Sequence, residues 1–254
     1  MAFLQLKRKE DTLRVFVFCA FHLFNLISLI IFGIKWLQGT AKFTQVLYCI
    51  LTVLYCSIPD IAQKLCKFRI ATPAYILILF YAFSPMLGHT YGLYYSIKIW
   101  DKLLHIAAGI IFAMFGAYLP KLFLKDEKCN IWLCVLCGFA VSMAIAGLWE
   151  LVEYFFDSVF HTDMQKDTII YRIDSYLLNE ELYGASGELL TLPTVNGTVI
   201  NGAPMQGYLD VGRQDSMIDM LVELAGTLLF CVVYIIDKGK RFAFHYTPSG
   251  EKDE

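Results

Sequence analysis

Apolar residues along this chain gather into six runs, near positions 15 to 35, 43 to 60, 72 to 90, 101 to 121, 130 to 156 and 216 to 237, with short polar breaks between most of them. At about 1.5 Å of rise per residue, each run makes a helix long enough to cross a hydrocarbon layer roughly 30 Å thick. The pattern predicts an all-α fold, a polytopic membrane bundle of about six transmembrane helices. Pro59, Pro73 and Pro120 stand near run ends, where a missing backbone donor is tolerated, whereas Pro85 falls inside the third run and predicts a kink there. The first run is too long for a signal-peptide core and lacks a small-residue cleavage site after it, so it is expected to remain as an anchor.

One polar segment is long, Ser158 to Gln214, between the fifth and sixth runs. It is expected to be a small extracytoplasmic insertion (158–214) within a single membrane domain (1–254). Within it, β-branched residues flank Asn196-Gly197, a pair suited to a two-residue turn, which predicts a β-hairpin over Thr194 to Ile200.

Composition agrees with a lipid setting: 57% of residues are hydrophobic, 17% are charged, and the mean hydropathy is +0.56. A formal net charge of -2 excludes the broad basic surface that nucleic-acid phosphates require, so membrane lipids and not nucleic acid are the expected partners. The eight cysteines all lie in or beside apolar runs, which argues against disulfide stapling. Cys134 and Cys137 read as small residues in helix packing rather than as a redox or metal pair. Gly109, Gly116, Gly138, Gly147 and Gly226 are expected to let helices approach closely, and His22 and Asn25 to make polar contacts between helices.

Charge also orients the bundle. Fourteen Lys and Arg residues fall at the two termini and in the 61–71 and 121–129 loops, against seven spread over the longer opposite side. The positive-inside rule therefore places both termini in the cytoplasm of a multi-pass protein of the cell membrane.

The chemistry-bearing residues are ionisable groups inside or against the apolar runs. Asp101 and His105 are four apart, Glu150, Glu153 and Asp157 step by three and four, and Asp215, Asp219 and Glu223 step by four. Each set lies along one helix face. With the orientation above, all three stripes meet at the outer depth of the membrane, and charged groups near lipid normally face a bundle interior. Carboxylates crowded at one level repel one another, which calls for protons or a cation among them. Asp101, His105, Glu150, Asp215 and Asp219 are the candidate metal ligands and Glu153 the candidate general base. Oxygen donors with one imidazole suit a divalent ion: Mg, Mn, Ca or Zn. Interhelical hydrogen bonding is the competing structural explanation, and Glu223 is the weakest member because its four-residue step drifts around the helix. His89, in Gly-His-Thr-Tyr-Gly, reads as an interfacial residue held by its loop.

The string Trp100-Asp101-Lys102-Leu103-Leu104-His105 with Gly109, then Trp149-Glu150-Leu151-Val152-Glu153-Tyr154, then Asp215-Ser216-Met217-Ile218-Asp219-Met220, resembles the YjdF-like family of uncharacterised bacterial membrane proteins. More distantly it is similar to the VanZ-like family. The resemblance covers roughly residues 89 to 236 and implies a multi-pass bacterial membrane protein. VanZ-like proteins are associated with reduced susceptibility to teicoplanin-type glycopeptides. Here the long 158–214 segment, and Glu153 where that pattern often has Gln, depart from it, so glycopeptide resistance is not carried over.

Three function classes follow. One is a metal-dependent hydrolase or transferase acting on a lipid-linked or envelope precursor. A second is a non-catalytic envelope protein of the VanZ-like kind, and a third a cation- or proton-coupled transporter, which needs polar groups continuing toward the cytoplasm. The topology has a direct check. In intact cells, a Gly197→Cys variant freed of competing native thiols is expected to react with an impermeant thiol reagent. Labelling only after lysis would contradict the orientation.

Overall fold

The computed structural model describes residues 2–65, 68–175, 190–192, 198–200, 203–240 and 242–246. Seven helices occur among them: α1 (Ala2–Leu37), α2 (Phe43–Leu65), α3 (Thr72–Thr90), α4 (Leu93–Ser96), α5 (Trp100–Leu124), α6 (Ile131–Phe160) and α7 (Arg213–Asp237). Eight three-residue strands accompany them: β1 (Phe68–Ile70), β2 (Thr168–Ile170), β3 (Ile173–Ser175), β4 (Leu190–Leu192), β5 (Thr198–Ile200), β6 (Ala203–Met205), β7 (Tyr208–Asp210) and β8 (Phe244–Tyr246). The architecture is the all-α membrane bundle that the apolar runs predict. Five helices, all but α3 and the single-turn α4, are long and apolar enough to cross a membrane. At 19 residues α3 has nearly the same reach, but it carries prolines, tyrosines and His89 and buries Tyr75, Leu79, Phe83, Ser84 and Met86 against other helices. Protein rather than lipid covers much of its surface, so it tolerates a lower hydropathy.

The chain forms two compact units, residues 1–147 with 220–254, and residues 148–219. In the first, α1 packs on α2 and α3, α2 on α3, and α3 on α5. The central helix is α5: 67% of its most apolar window is buried, against 17% for α1, whose Leu23, Leu26, Ile27, Ile30 and Ile34 face outward as lipid-contacting residues would. Cys49, Cys56, Tyr75, Leu79, Phe83, Met86, Met114, Tyr118 and Phe230 build the core.

Close helix approach is set by glycine. A Cβ at Gly109 would strike the carbonyl of Glu223, and one at Gly226 the carbonyl of Ile106, so α5 and α7 touch backbone to backbone. His105 lies beside Glu223 and the Gly109 carbonyl beside the Thr227 hydroxyl, an advance of four residues on each helix, so the two helices run in the same direction. Further along α5, a Cβ at Gly116 would come within 2.6 Å of the Cys137 carbonyl, and one at Gly138 within 2.7 Å of that of Ala113, so α6 approaches as closely. Gly147 departs from expectation: no atom lies within 4 Å of its hypothetical Cβ, and it serves no close contact.

Other expectations divide similarly. Asn25 does join helices, donating from Nδ2 to the Cys49 carbonyl at 2.9 Å, but His22 turns back on its own helix, 3.0 Å from the Phe18 carbonyl and stacked on the Phe18 ring. α3 continues through Pro85. The carbonyl that Pro85 deprives of an N–H partner, Tyr81, instead accepts the Ser84 hydroxyl at 2.6 Å. At the far end of α5, β1 pairs antiparallel with β8, Arg69 opposite His245, tying the α2–α3 connection to the C-terminal segment.

The second unit holds the ends of α6 and α7 nearest the insertion, together with three antiparallel strand pairs, β2–β7, β3–β4 and β5–β6. β5 and β6 form an antiparallel hairpin, with Ile200 opposite Ala203. The expected turn at Asn196-Gly197 lies outside the described residues. Gly207, at φ +86°, packs on the Ile170 carbonyl and closes the approach to β7.

If glycine sets the α5–α7 distance, Gly226→Val should lower the unfolding free energy in detergent by about 1–3 kcal/mol through overpacking. Gly147→Ala should stay within about 0.5 kcal/mol of the parent, or gain slightly from helix propensity. Equal losses for the two variants would refute this role.

Candidate metal centre

Helix periodicity puts Asp101, His105 and Gly109 in one stripe on α5, and Asp219, Glu223 and Thr227 in one stripe on α7. Because the glycines bring these helices together, the stripes meet. His105 and Glu223 are both more than nine-tenths buried, and Nδ1 of His105 lies 3.5 Å from Oε2 of Glu223. The other Glu223 oxygen, Oε1, is buried with no hydrogen-bond partner among the described residues. Tyr81 of α3 stands close enough to feel the Glu223 charge. A second buried orphan, the indole N–H of Trp100, sits one residue before Asp101. An acceptor and a donor buried without partners are exceptional, since buried polar groups are nearly always paired.

One turn deeper the polar stripe ends in a closed hydroxyl knot. Ser142 of α6 donates toward the Gly109 carbonyl at 3.1 Å and shares a 2.8 Å bond with the Thr227 hydroxyl, which also lies 2.9 Å from the Glu223 carbonyl. The lack of a Cβ at Gly109 exposes that carbonyl to both hydroxyls. Below the knot the packing turns apolar, with Met114 and Phe230 fully enclosed. Above it, Asp101 is partly exposed and has Lys102 at 3.5 Å.

The remaining predicted residues belong to the second unit. On α6, Glu150 and Glu153 are both buried, and Glu153 accepts the Trp149 indole N–H at 2.8 Å, which fixes its rotamer one turn along the same helix. On α7, Asp219 is 1% exposed, and Asp215 is buried and accepts the Lys166 backbone N–H at 2.8 Å. Asp157 serves the backbone: its carboxylate accepts the Met164 and Gln165 N–H groups at 2.7 and 2.8 Å and the Thr162 hydroxyl at 2.7 Å, folding the chain back after α6. Asp210 likewise accepts the Gln214 N–H at 2.8 Å in the first turn of α7. Asp167, in the connecting loop, has its pKa raised by burial and then by the nearby charges of Asp163, Asp157 and Asp210. The acids of this unit thus divide between loop construction and buried helix faces.

Glu223, the member that sequence reasoning ranked last, is the acid that faces His105. Its drift around α7 is matched by the way α5 and α7 cross, and the signal that pointed to it was Gly226, three residues on. Nothing in the one-dimensional pattern marked Ser142 or the orphaned Trp100 indole.

Asp101, His105 and Asp219 each offer a ligand atom of the type that divalent cations take, a carboxylate oxygen or a ring nitrogen. Compared with known families, residues 19–177 match the family model described as a predicted membrane protein, DUF2238. The match takes in Asp101, His105, Glu150 and Glu153 and stops before Asp215, Asp219 and Glu223. Comparison with curated proteins and with solved structures gave no match.

Proposed function

The chain belongs to the DUF2238 family of membrane proteins, and from that premise we propose that it holds a divalent cation on Asp101, His105, Asp219 and Glu223, with Glu150 and Asp215 as further ligands. The observation that carries this reading is Glu223, a carboxylate 3% exposed, facing His105 with one oxygen and leaving the other without a hydrogen bond among the described residues. An unpaired charge in such a setting costs roughly several kcal/mol unless a proton or a cation neutralises it. Asp101 precedes His105 by one turn on α5, and Asp219 precedes Glu223 by one turn on α7. This shared spacing is the ground on which Asp101 and Asp219 are assigned to the same ion as His105 and Glu223. A proton on a single acid resolves a single charge, whereas three acids and an imidazole would favour an ion. Carboxylates with one imidazole fit Mg, Mn, Ca or Zn.

We further propose that the cation serves a hydrolase or transferase acting on a lipid-linked or envelope precursor at the outer face of the cell membrane, with both termini cytoplasmic. The ion would polarise a phosphoryl or carbonyl oxygen and acidify a water. Glu153, its carboxylate oriented by the Trp149 indole, is the proposed general base. The transporter reading is weaker, because the Ser142–Thr227 knot is followed inward by enclosed Met114 and Phe230, and the next buried polar groups, Tyr234 and Lys121, are taken up with each other and with Glu127.

Elemental analysis of the purified full chain, combined with melting curves, tests the site. Bound cation stabilises by RT ln(1 + [L]/Kd), about 2.7 kcal/mol at a hundred times Kd. Asp219→Asn should abolish both the co-purifying metal and the metal-dependent rise in Tm. The chelated variant should be as stable as the chelated parent, or more so, because a repelling charge is gone. Equal metal content in variant and parent, or a variant that is destabilised without metal, would overturn the cation reading in favour of simple helix packing.

A further inference from the structure

A cleft of about 640 Å³ opens where the turn between α1 and α2 meets the end of α3. It lies wholly in the first unit and has no carboxylate in its lining among the described residues. Lys42 contributes an exposed ammonium group with no ion pair among the described residues. His89, at the last turn of α3, stacks flat on Tyr48 with ring centroids 4.2 Å apart and planes 11° from parallel. Its nitrogens take no hydrogen bond among the described residues, which leaves them for a ligand. The 23-residue helix α2 starts at Phe43, directly after Lys42, and Thr44 and Gln45 of its first turn line the same space.

The floor is fixed. Gln45 donates from Nε2 to the Thr90 carbonyl at 2.9 Å and accepts the Lys42 N–H at 3.1 Å, while the Thr90 hydroxyl donates to the Gln45 carbonyl at 3.1 Å. These bonds lock the start of α2 to the end of α3, and Lys42 and His89 both line the cleft. A lysine, an imidazole, a helix N-terminus and tyrosine hydroxyls without an acid make an anion site, and the phosphate group suits it best. Trp36, Phe43 and Leu47, beside the cleft, are exposed apolar side chains at the end of two membrane-crossing helices, where acyl chains would run.

We propose that this cleft binds the phosphate of an anionic lipid headgroup, with Lys42 and His89 as its principal donors. The cleft stands on its own residues and is independent of the cation reading. Binding of dioctanoyl phosphatidic acid to the full chain in a neutral detergent, followed by native mass spectrometry, tests it against dioctanoyl phosphatidylcholine and inorganic phosphate. The parent should bind the phosphatidic acid at least tenfold more tightly than either control. Lys42→Gln and His89→Leu should each weaken it roughly tenfold, and Lys42→Arg should restore it to within about threefold, with melting temperatures unchanged for the lysine variants. The affinity should persist in chelator and in Asp219→Asn. Inorganic phosphate binding as tightly as the lipid would show that the source is soluble, unaltered affinity in Lys42→Gln would remove the site, and loss of affinity on chelation would move the phosphate to the cation; each overturns the proposal.

Discussion

Glu223 lies in the middle of an apolar helix with 3% of its surface exposed, one oxygen toward His105 and one without a hydrogen bond among the described residues. A carboxylate in that position is tolerable only if its charge is shared, and the surrounding structure is built to bring partners to it. His105 reaches it because Gly109 and Gly226 remove the side chains that would hold α5 and α7 apart. Gly109 also bares the carbonyl that Ser142 uses, with Thr227, to close the stripe from below. The desolvation of one acid is therefore met by the close helix spacing and by the hydroxyl closure beneath it.

The division of labour among the other acids follows from exposure. Where the chain leaves α6 and enters α7, carboxylates are surrounded by unpaired backbone N–H groups, and Asp157, Asp210 and Asp215 are used to satisfy them. Backbone donors at a helix start or a reversed turn are the natural partners of a short acidic side chain. Further along the helices no such donors remain, because the backbone is already paired. Acids there, such as Asp219 and Glu223, must be met by other side chains, by protons or by an ion.

Helix positions were legible from apolar runs alone, since α3 begins and ends where its run does and α2, α5, α6 and α7 differ only by a few residues at their ends. α1 extends well before its run, to Ala2, because the helix continues through a polar sequence that hydropathy cannot register. The β1–β8 pair joins residues 68–70 to 244–246 across the whole chain, and such non-local pairing of three-residue strands has no local signature. At the site, the periodic acids were visible as stripes, and Gly109 and Gly226 as points of close approach. What the stripes could not reveal was which acids the backbone would claim, as with Asp157 and Asp215, or that Glu223 would turn to His105. Those outcomes depend on the crossing of two helices and on loop conformations, neither of which is encoded in a window of neighbouring residues.

A cation held jointly by imidazole and carboxylates is tested most directly by electron spin-echo spectroscopy of Mn(II) added to the chelated full chain. One bound Mn(II) per chain is expected, with a nitrogen coupling that changes when the protein carries ¹⁵N-labelled histidine and disappears in His105→Gln. Mn(II) bound without any histidine nitrogen coupling, or no stoichiometric Mn(II) binding at all, would contradict it.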